Sequence, residues 1–227
     1  MQMAIFVSGI LLLVIGLVVF VAALASRSYA RVALIPASAA KVGRMARLHG
    51  TVVALAPSPL VSLLEGTPVV ATYFAGLKFM GKRSHRLEHC DNAPFAVRDG
   101  SGVDVFVPEK SNVHPFLPNR RFSIQEGQAR QRIEQHFGAM PGLHIRAWEA
   151  TLTEGTTGTI LGRVSAVGGS AYRDRPVITL ASTKWRPISF WAEGQEPTDG
   201  AIQKVLIASL IMLGLAVTMI VYGYTPH

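Results

Sequence analysis

Hydrophobic positions fall into two regimes along the chain. Residues 4–25 (AIFVSGILLLVIGLVVFVAALA) and 205–224 (VLIASLIMLGLAVTMIVYGY) are continuous apolar runs. Each has the length of about 20 residues that a helix needs to cross a hydrocarbon core. Between them, short stretches rich in β-branched residues alternate with polar positions, which predicts strands half-buried in a sheet. Candidate strands are residues 48–55, 67–80, 93–98, 103–107, 144–152, 159–167 and 175–182. Asp99-Gly100-Ser101-Gly102 reads as a hairpin turn between two of them, and Gly168-Gly169-Ser170 as another turn. Strands of this length and spacing predict a small barrel or sandwich.

One helix is expected inside this β pattern. Ser123 and Glu126 have the spacing of a capping box. The following GQARQRIEQHF keeps Ala129, Ile133 and Phe137 on one helical face. The expectation is an amphipathic helix over residues 124–137, packed across one barrel opening or offered to a partner. The expected fold is therefore mainly β: a small OB-like β-barrel with one inserted helix, flanked by N- and C-terminal transmembrane helices. The expected boundaries are a transmembrane helix at 1–25, a juxtamembrane linker at 26–44, the β domain at 45–192, a linker at 193–204 and a transmembrane helix at 205–224.

Charge distribution strengthens the membrane reading. Hydrophobic residues make up 49% of the 227 and charged residues 16%, and no Lys, Arg, Asp or Glu occurs before Arg27 or after Lys204. The first run lacks a basic n-region and exceeds a secretory h-region, although Ala23-Leu24-Ala25 keeps the form of a cleavage site. Tyr222 and Tyr224 suit an interfacial aromatic belt. Arg27, Arg31, Lys41 and Arg44 follow the first run, Lys204 precedes the second, and the tails carry no Lys or Arg. The positive-inside rule places the middle domain in the cytoplasm, with both spans in the inner membrane. One cysteine, Cys90, excludes an intrachain disulfide and fits the cytoplasm without excluding a periplasmic side.

Candidate chemistry is sparse. His85, His89, Cys90 and Asp91 (HRLEHCD) form the single cluster of metal-ligand residue types. On a helix the two histidines would share a face, but residues 81–92 read better as a polar loop, and no distant third ligand stands out. No nucleophile elbow and no phosphate-cradling loop occur. Glu149 reads as a strand carboxylate paired with a nearby Arg. The basic excess, a formal +8, invites single-strand nucleic-acid binding. The aromatics Trp185, Phe190 and Trp191 do not interleave with the basic spots at 82–86, 120–121 and 130–132, however, and proximity to anionic lipid accounts for the sign.

The middle segment resembles the GIDE, or beside-a-membrane, domain of MULAN/MAPL-type ubiquitin ligases and their prokaryotic relatives. The matching motifs are Gly50-Thr51-Val52, Ser58-Pro59-Leu60, Gly66-Thr67-Pro68-Val69, and the hairpin from Phe95 to Gly102 leading to Val105 and Pro108. Trp148-Glu149-Ala150-Thr151-Leu152, Gly155 and Leu161-Gly162-Arg163-Val164 complete them, so the resemblance covers residues 48–188. The ligases carry a RING domain after their second span. Here three residues follow the second run and one cysteine is present in all, so the expectation is a prokaryotic, RING-less member without ligase activity. In the family the domain faces the intermembrane space, which runs against the charge-based orientation.

These observations lead to an expected membrane-anchored, noncatalytic interaction or scaffold module, with lipid around its two spans and a protein partner. No catalytic, cofactor-binding or metal residue is assigned. The alternatives are an accessory component of a ligase-like or hydrolytic membrane complex, with catalysis in another subunit, and an OB-like nucleic-acid-binding membrane protein.

Overall fold

Alternation along residues 45–54 buries Ala46, Leu48, Gly50 and Val52 while their neighbours face outward. In the computed structural model this segment is the first strand of a closed barrel. The structure describes residues 2–55, 60–80, 83–116, 120–124, 126–140, 144–168, 177–183 and 186–224. Of the expected features, Ser58-Pro59, Lys82, Gly169-Ser170, Lys184 and Trp185 lie outside the described residues. The chain divides into two compact units, Leu34–Glu196 and the terminal segments Met1–Ala33 with Pro197–His227.

The barrel has five strands: β1 (Met45–Ala54), β4 (Phe95–Arg98), β5 (Asp104–Val107), β10 (Val177–Ala181) and β9 (Thr157–Val167). They pair in the order β1-β4-β5-β10-β9, and β9 closes the wall on β1. Every pairing is antiparallel except β5 with β10. Leu48, Phe95, Val105, Ile160, Leu180 and Phe190 are among the fully buried side chains of its core. Gly50 and Gly158 sit opposite each other in the β1–β9 register. A Cβ on Gly50 would lie 2.3 Å from the Arg98 carbonyl oxygen, and one on Gly158 would lie 2.1 Å from that of Trp191. The wall therefore closes this tightly only where side chains are missing.

The expected hairpin at 95–107 is present. Asp99 Oδ1 accepts the Ser101 N–H at 2.8 Å, an Asx-type turn, and its Oδ2 accepts the Ala37 N–H at 2.7 Å. Strand β11 (Ile188–Ala192) extends the sheet along β9, and β6 (Val113–Phe116) runs parallel to β11 at its edge.

A second sheet was not expected as a separate layer. It contains β3 (Arg83–Asn92), β2 (Ala71–Met80), β8 (His144–Leu152) and β7 (Arg120–Ile124), all antiparallel in that order. The polar loop expected over residues 81–92 is, from Arg83 onward, the edge strand β3. The helix α2 (Gln128–Phe137) covers one face of this sheet. Ile133, Phe137, Phe74, Leu87, Ile124 and Ile145 meet there, with Leu64 added by the preceding loop.

The helix starts later than expected, because Ser123 and Ile124 pair with Arg146 and Ile145 in the β7–β8 ladder. The Ser123 hydroxyl meets His144 Nε2 instead of capping a helix, and α2 begins after Gly127 with no side-chain cap.

The terminal unit is a pair of helices, α1 (Gln2–Ala30) and α3 (Asp199–Tyr224). Both are long and apolar enough to cross a membrane: Ile5–Leu24 has mean hydropathy 3.1 and Gly200–Tyr222 has 2.5. Helix α3 starts before the expected span, where Thr198 Oγ1 accepts the Ala201 N–H at 3.3 Å. Gly9 faces Ile220, Gly16 faces Leu213, and Ala23 packs with Ile202 and Leu206. Small residues every seven positions let the two backbones approach along a heptad seam. The outward faces stay apolar, with Leu11, Val18, Ile211 and Leu215 all exposed. Apolar side chains on both seam and exterior suit a hydrocarbon solvent.

Candidate ligand-binding face

Strand register sorts the side chains of the second sheet into two faces. Phe74, His89 and Glu149 are opposite one another on the α2 face. Tyr73, Leu77, Arg86, Arg146 and Trp148 belong to the other face.

On the α2 face, Glu149 is 8% exposed and its carboxylate is saturated. Oε1 accepts from Leu63 N–H (2.9 Å) and Thr72 Oγ1 (2.7 Å), and Oε2 from Leu64 N–H (2.8 Å) and Ser62 Oγ (2.7 Å). The expected Arg partner is not found among the described side chains. Four donors replace the water that burial removes. Arg132 of α2 completes the arrangement, donating from Nε to the Leu63 carbonyl (3.0 Å) and from Nη2 to that of Leu64 (2.7 Å). The loop ahead of β2 is thus held through both its N–H and its C=O groups. Glu149 is a structural anchor with no lone pair to spare for chemistry.

The HRLEHCD cluster is spread out by the strand. His85 and His89 share a face but stand about 13 Å apart at the strand rise, while Cys90 points to the other side. The His89 ring meets that of His136 of α2 at a 58° tilt with centroids 3.9 Å apart, and Phe137 meets it edge-on. Burial lowers the His89 pKa from its ordinary value, and the neighbouring His136 lowers it further. The Cys90 Sγ–H donates to the Val113 carbonyl (3.1 Å), and burial pushes the thiol pKa up, away from a reactive thiolate. No three His, Cys, Asp or Glu side chains converge as a metal site among the described residues.

The opposite face of the sheet is half covered. Strand β6 lies over one end, where the His114 ring meets Tyr73 at 4.5 Å. Burial lowers the His114 pKa. The other end is an open cleft of about 630 Å³, lined by Ala75, Leu77, Arg86, Ser123, Arg146 and Trp148 among others. Its floor is apolar: Leu77 is 42% exposed, and the Trp148 ring packs on Tyr73 at 5.1 Å. The Arg146 guanidinium stands 5.5 Å over the Phe79 ring. Arg86 pairs with Glu88 (3.0 Å), which also accepts the Tyr73 hydroxyl (2.6 Å). Burial and Glu88 together raise the Tyr73 pKa, so the hydroxyl remains a donor.

Chemically this face can bind. Strands fix the spacing of an aromatic floor and two guanidinium groups, which suits a ligand with an apolar body and an anionic group. Ser123 Oγ and His144 Nε2, 3.2 Å apart, form the nearest approach to a nucleophile–base pair. No carboxylate among the described residues orients that histidine as the third member of a triad would.

The residues of this cleft were not singled out from the sequence. Arg146 and Trp148, two positions apart on β8, share a face with Leu77, Phe79 and Arg86, a basic and aromatic neighbourhood separate from Trp185, Phe190 and Trp191, the aromatics weighed in the sequence. The period-two spacing of Arg146 with Trp148 and of Leu77 with Phe79 was the available signal. Comparison with protein-family models, curated proteins and solved structures gives no match.

Proposed function

We propose that the chain is a membrane-anchored, noncatalytic binding module that presents a GIDE-like barrel and its appended sheet at the bilayer surface. The observation that carries this reading is the cleft on the second sheet, where Arg86 and Arg146 flank an apolar floor centred on Leu77 and Trp148. A site built on strands is held in shape before its ligand arrives, which reduces the ordering cost of binding. The partner it suits is an extended protein segment carrying a carboxylate beside an apolar side chain. The helices α1 and α3 supply the anchor, and the basic residues Arg31, Lys41 and Arg44 after α1, with Lys204 before the second apolar run, favour a cytoplasmic domain held at the inner membrane. The order of the GIDE-like motifs supports a relative of that family.

Selection of displayed random peptides on the detergent-purified full chain tests the reading. Acidic-apolar sequences are expected to be enriched and to lose binding to an Arg146→Glu variant. No enrichment, or peptides that bind the variant equally well, would refute a cleft-directed interaction. Reporter fusions at both termini test the orientation, and a cytoplasmic signal from either terminus would overturn the charge argument.

A further inference from the structure

A second feature lies at one corner of the barrel and is independent of the cleft. Lys41, Val42, Gly43 and Arg44 form a turn closed by the Arg44 N–H on the Lys41 carbonyl (3.2 Å). The turn is pinned to β9 by the Gly43 N–H on the Val164 carbonyl (2.8 Å). Arg163 stands between Met45 of β1 and Ala181 of β10 and donates from Nε to the Gly43 carbonyl at 3.3 Å. Arg186 comes from a bridge with Thr183. Val42, Gly43, Arg163, Thr183 and Arg186 line a hollow of about 350 Å³ with no carboxylate among its described lining residues.

Two properties of this corner point to its ligand. Lys41, Arg44, Arg163 and Arg186 are all exposed, and none of them meets a carboxylate among the described residues. Elsewhere in the same unit, Arg47, Arg86, Arg98 and Arg130 each have an acidic partner. Amid these four cations, none of them neutralised by a described carboxylate, Val42 projects at 59% exposure, an apolar group at the tip of a turn. Unpaired cations around an exposed apolar tip repel one another in water and complement a surface that is anionic outside and apolar beneath. The turn also follows the end of α1 closely in sequence, as the Thr183–Arg186 bridge precedes α3.

We propose that this corner docks on an anionic bilayer, with lipid phosphates between Arg163 and Arg186 and Val42 at headgroup depth. The inference rests on the reading that α1 and α3 span the membrane, and it adds a second, lipid-dependent contact that holds the barrel against the surface. Its strength therefore depends on lipid charge and falls with salt, as the anchoring by the spans does not.

The test uses the full chain carrying Cys90→Ser and Val42→Cys, labelled at residue 42 with an environment-sensitive fluorophore. It is reconstituted into vesicles of phosphatidylcholine alone or of equal parts phosphatidylcholine and phosphatidylglycerol. A blue shift confined to the anionic vesicles is expected, reversed by high salt and lost when Arg163→Gln and Arg186→Gln are combined. Inorganic phosphate added to the phosphatidylcholine vesicles is expected to give no shift. Identical spectra in the two lipids, a shift that survives the double substitution, or a shift produced by phosphate alone would each overturn the docking. Carbonate extraction of the same vesicles separates the two readings. A chain that stays in the bilayer but ignores lipid charge overturns only the docking. A chain released by carbonate overturns the spanning helices and the docking together.

Discussion

Glu149 and Arg132 hold the same dipeptide from opposite sides. The carboxylate takes the N–H groups of Leu63 and Leu64, and the guanidinium takes their carbonyls. One residue belongs to β8 and the other to α2, so the loop between them joins sheet and helix into one piece. Leu64 drops from this loop into the core shared by Ile133, Phe74 and Ile145.

Removing the carboxylate should be costly. Glu149→Ala leaves two backbone N–H groups and the hydroxyls of Ser62 and Thr72 without their acceptor, and a loss of about 3–5 kcal/mol is expected. Arg132→Ala, which frees two carbonyls at a more accessible place, should cost about 1–3 kcal/mol. Because both act on residues 63 and 64, the double variant should lose less than the sum of the two. Chemical denaturation of the full chain in detergent measures all three, and strict additivity would contradict a shared clamp.

The cleft residues should behave in the opposite way. Arg146→Ala removes an exposed guanidinium and its contact with Phe79, so stability should change by no more than about 0.5 kcal/mol. Binding of the selected acidic peptides should fall at least tenfold, the loss of one charge-assisted contact of about 1.4 kcal/mol. Titration by fluorescence anisotropy checks the binding, and unchanged affinity would move the site elsewhere.

Acid should loosen the junction of helix and sheet. The groups facing His89 are His136 and Phe137 from α2, with Asp91 and Glu149 on the sheet; the two carboxylates oppose the lowering of its pKa but do not reverse it. A histidine with a lowered folded-state pKa contributes stability that is complete above about pH 6.5, its unfolded value. That contribution is lost as pH falls from there through the folded pKa, because only the unfolded state gains the proton readily. His114 carries the same sign. Thermal midpoints should therefore drop between neutral and mildly acidic pH, and His89→Phe should flatten part of the drop. A profile unchanged by that substitution would remove His89 from the account.

The helix pair should reject bulk at its seam. A Cβ on Gly9 would lie 2.8 Å from Ile220 Cγ1, so Gly9→Val should destabilise the chain by about 1–3 kcal/mol. Ile220→Ala in the same chain should recover part of this loss. Thermal unfolding in detergent reads both changes, and a neutral Gly9→Val would mean that the helices do not pack along this seam.

Legibility in the sequence followed the strength of local signals. The terminal runs, the hairpin around Asp99 and strand β8 were readable because length, turn residues or period-two burial mark them directly. Strand β3 was not, because an edge strand buries little: Leu87 is its one buried apolar side chain, set among Arg, His and Glu. The spacing of Ser123 and Glu126 suggested a cap, but pairing of Ser123 with Arg146 outweighs a local preference. The small barrel with its inserted helix could be expected, whereas the parallel pairing of β5 with β10, the closure of β9 on β1 and the division into two sheets depend on contacts distant in sequence. The same holds for the clamp, since Ser62, Leu63 and Leu64 lie more than eighty residues before Glu149.

Strand β9 pairs with β1, β10 and β11. His49 and Thr159, which touch across the first of these seams, are 110 positions apart. At ordinary synthesis rates, roughly 5 to 20 s separate the appearance of the two residues. Throughout that interval the first apolar helix is already available to the membrane, while β1 has no partner along one edge. Synthesis of this chain therefore includes a stage in which the β1 edge that β9 will cover is open, and an open strand edge is a template for pairing with other chains until β9 arrives.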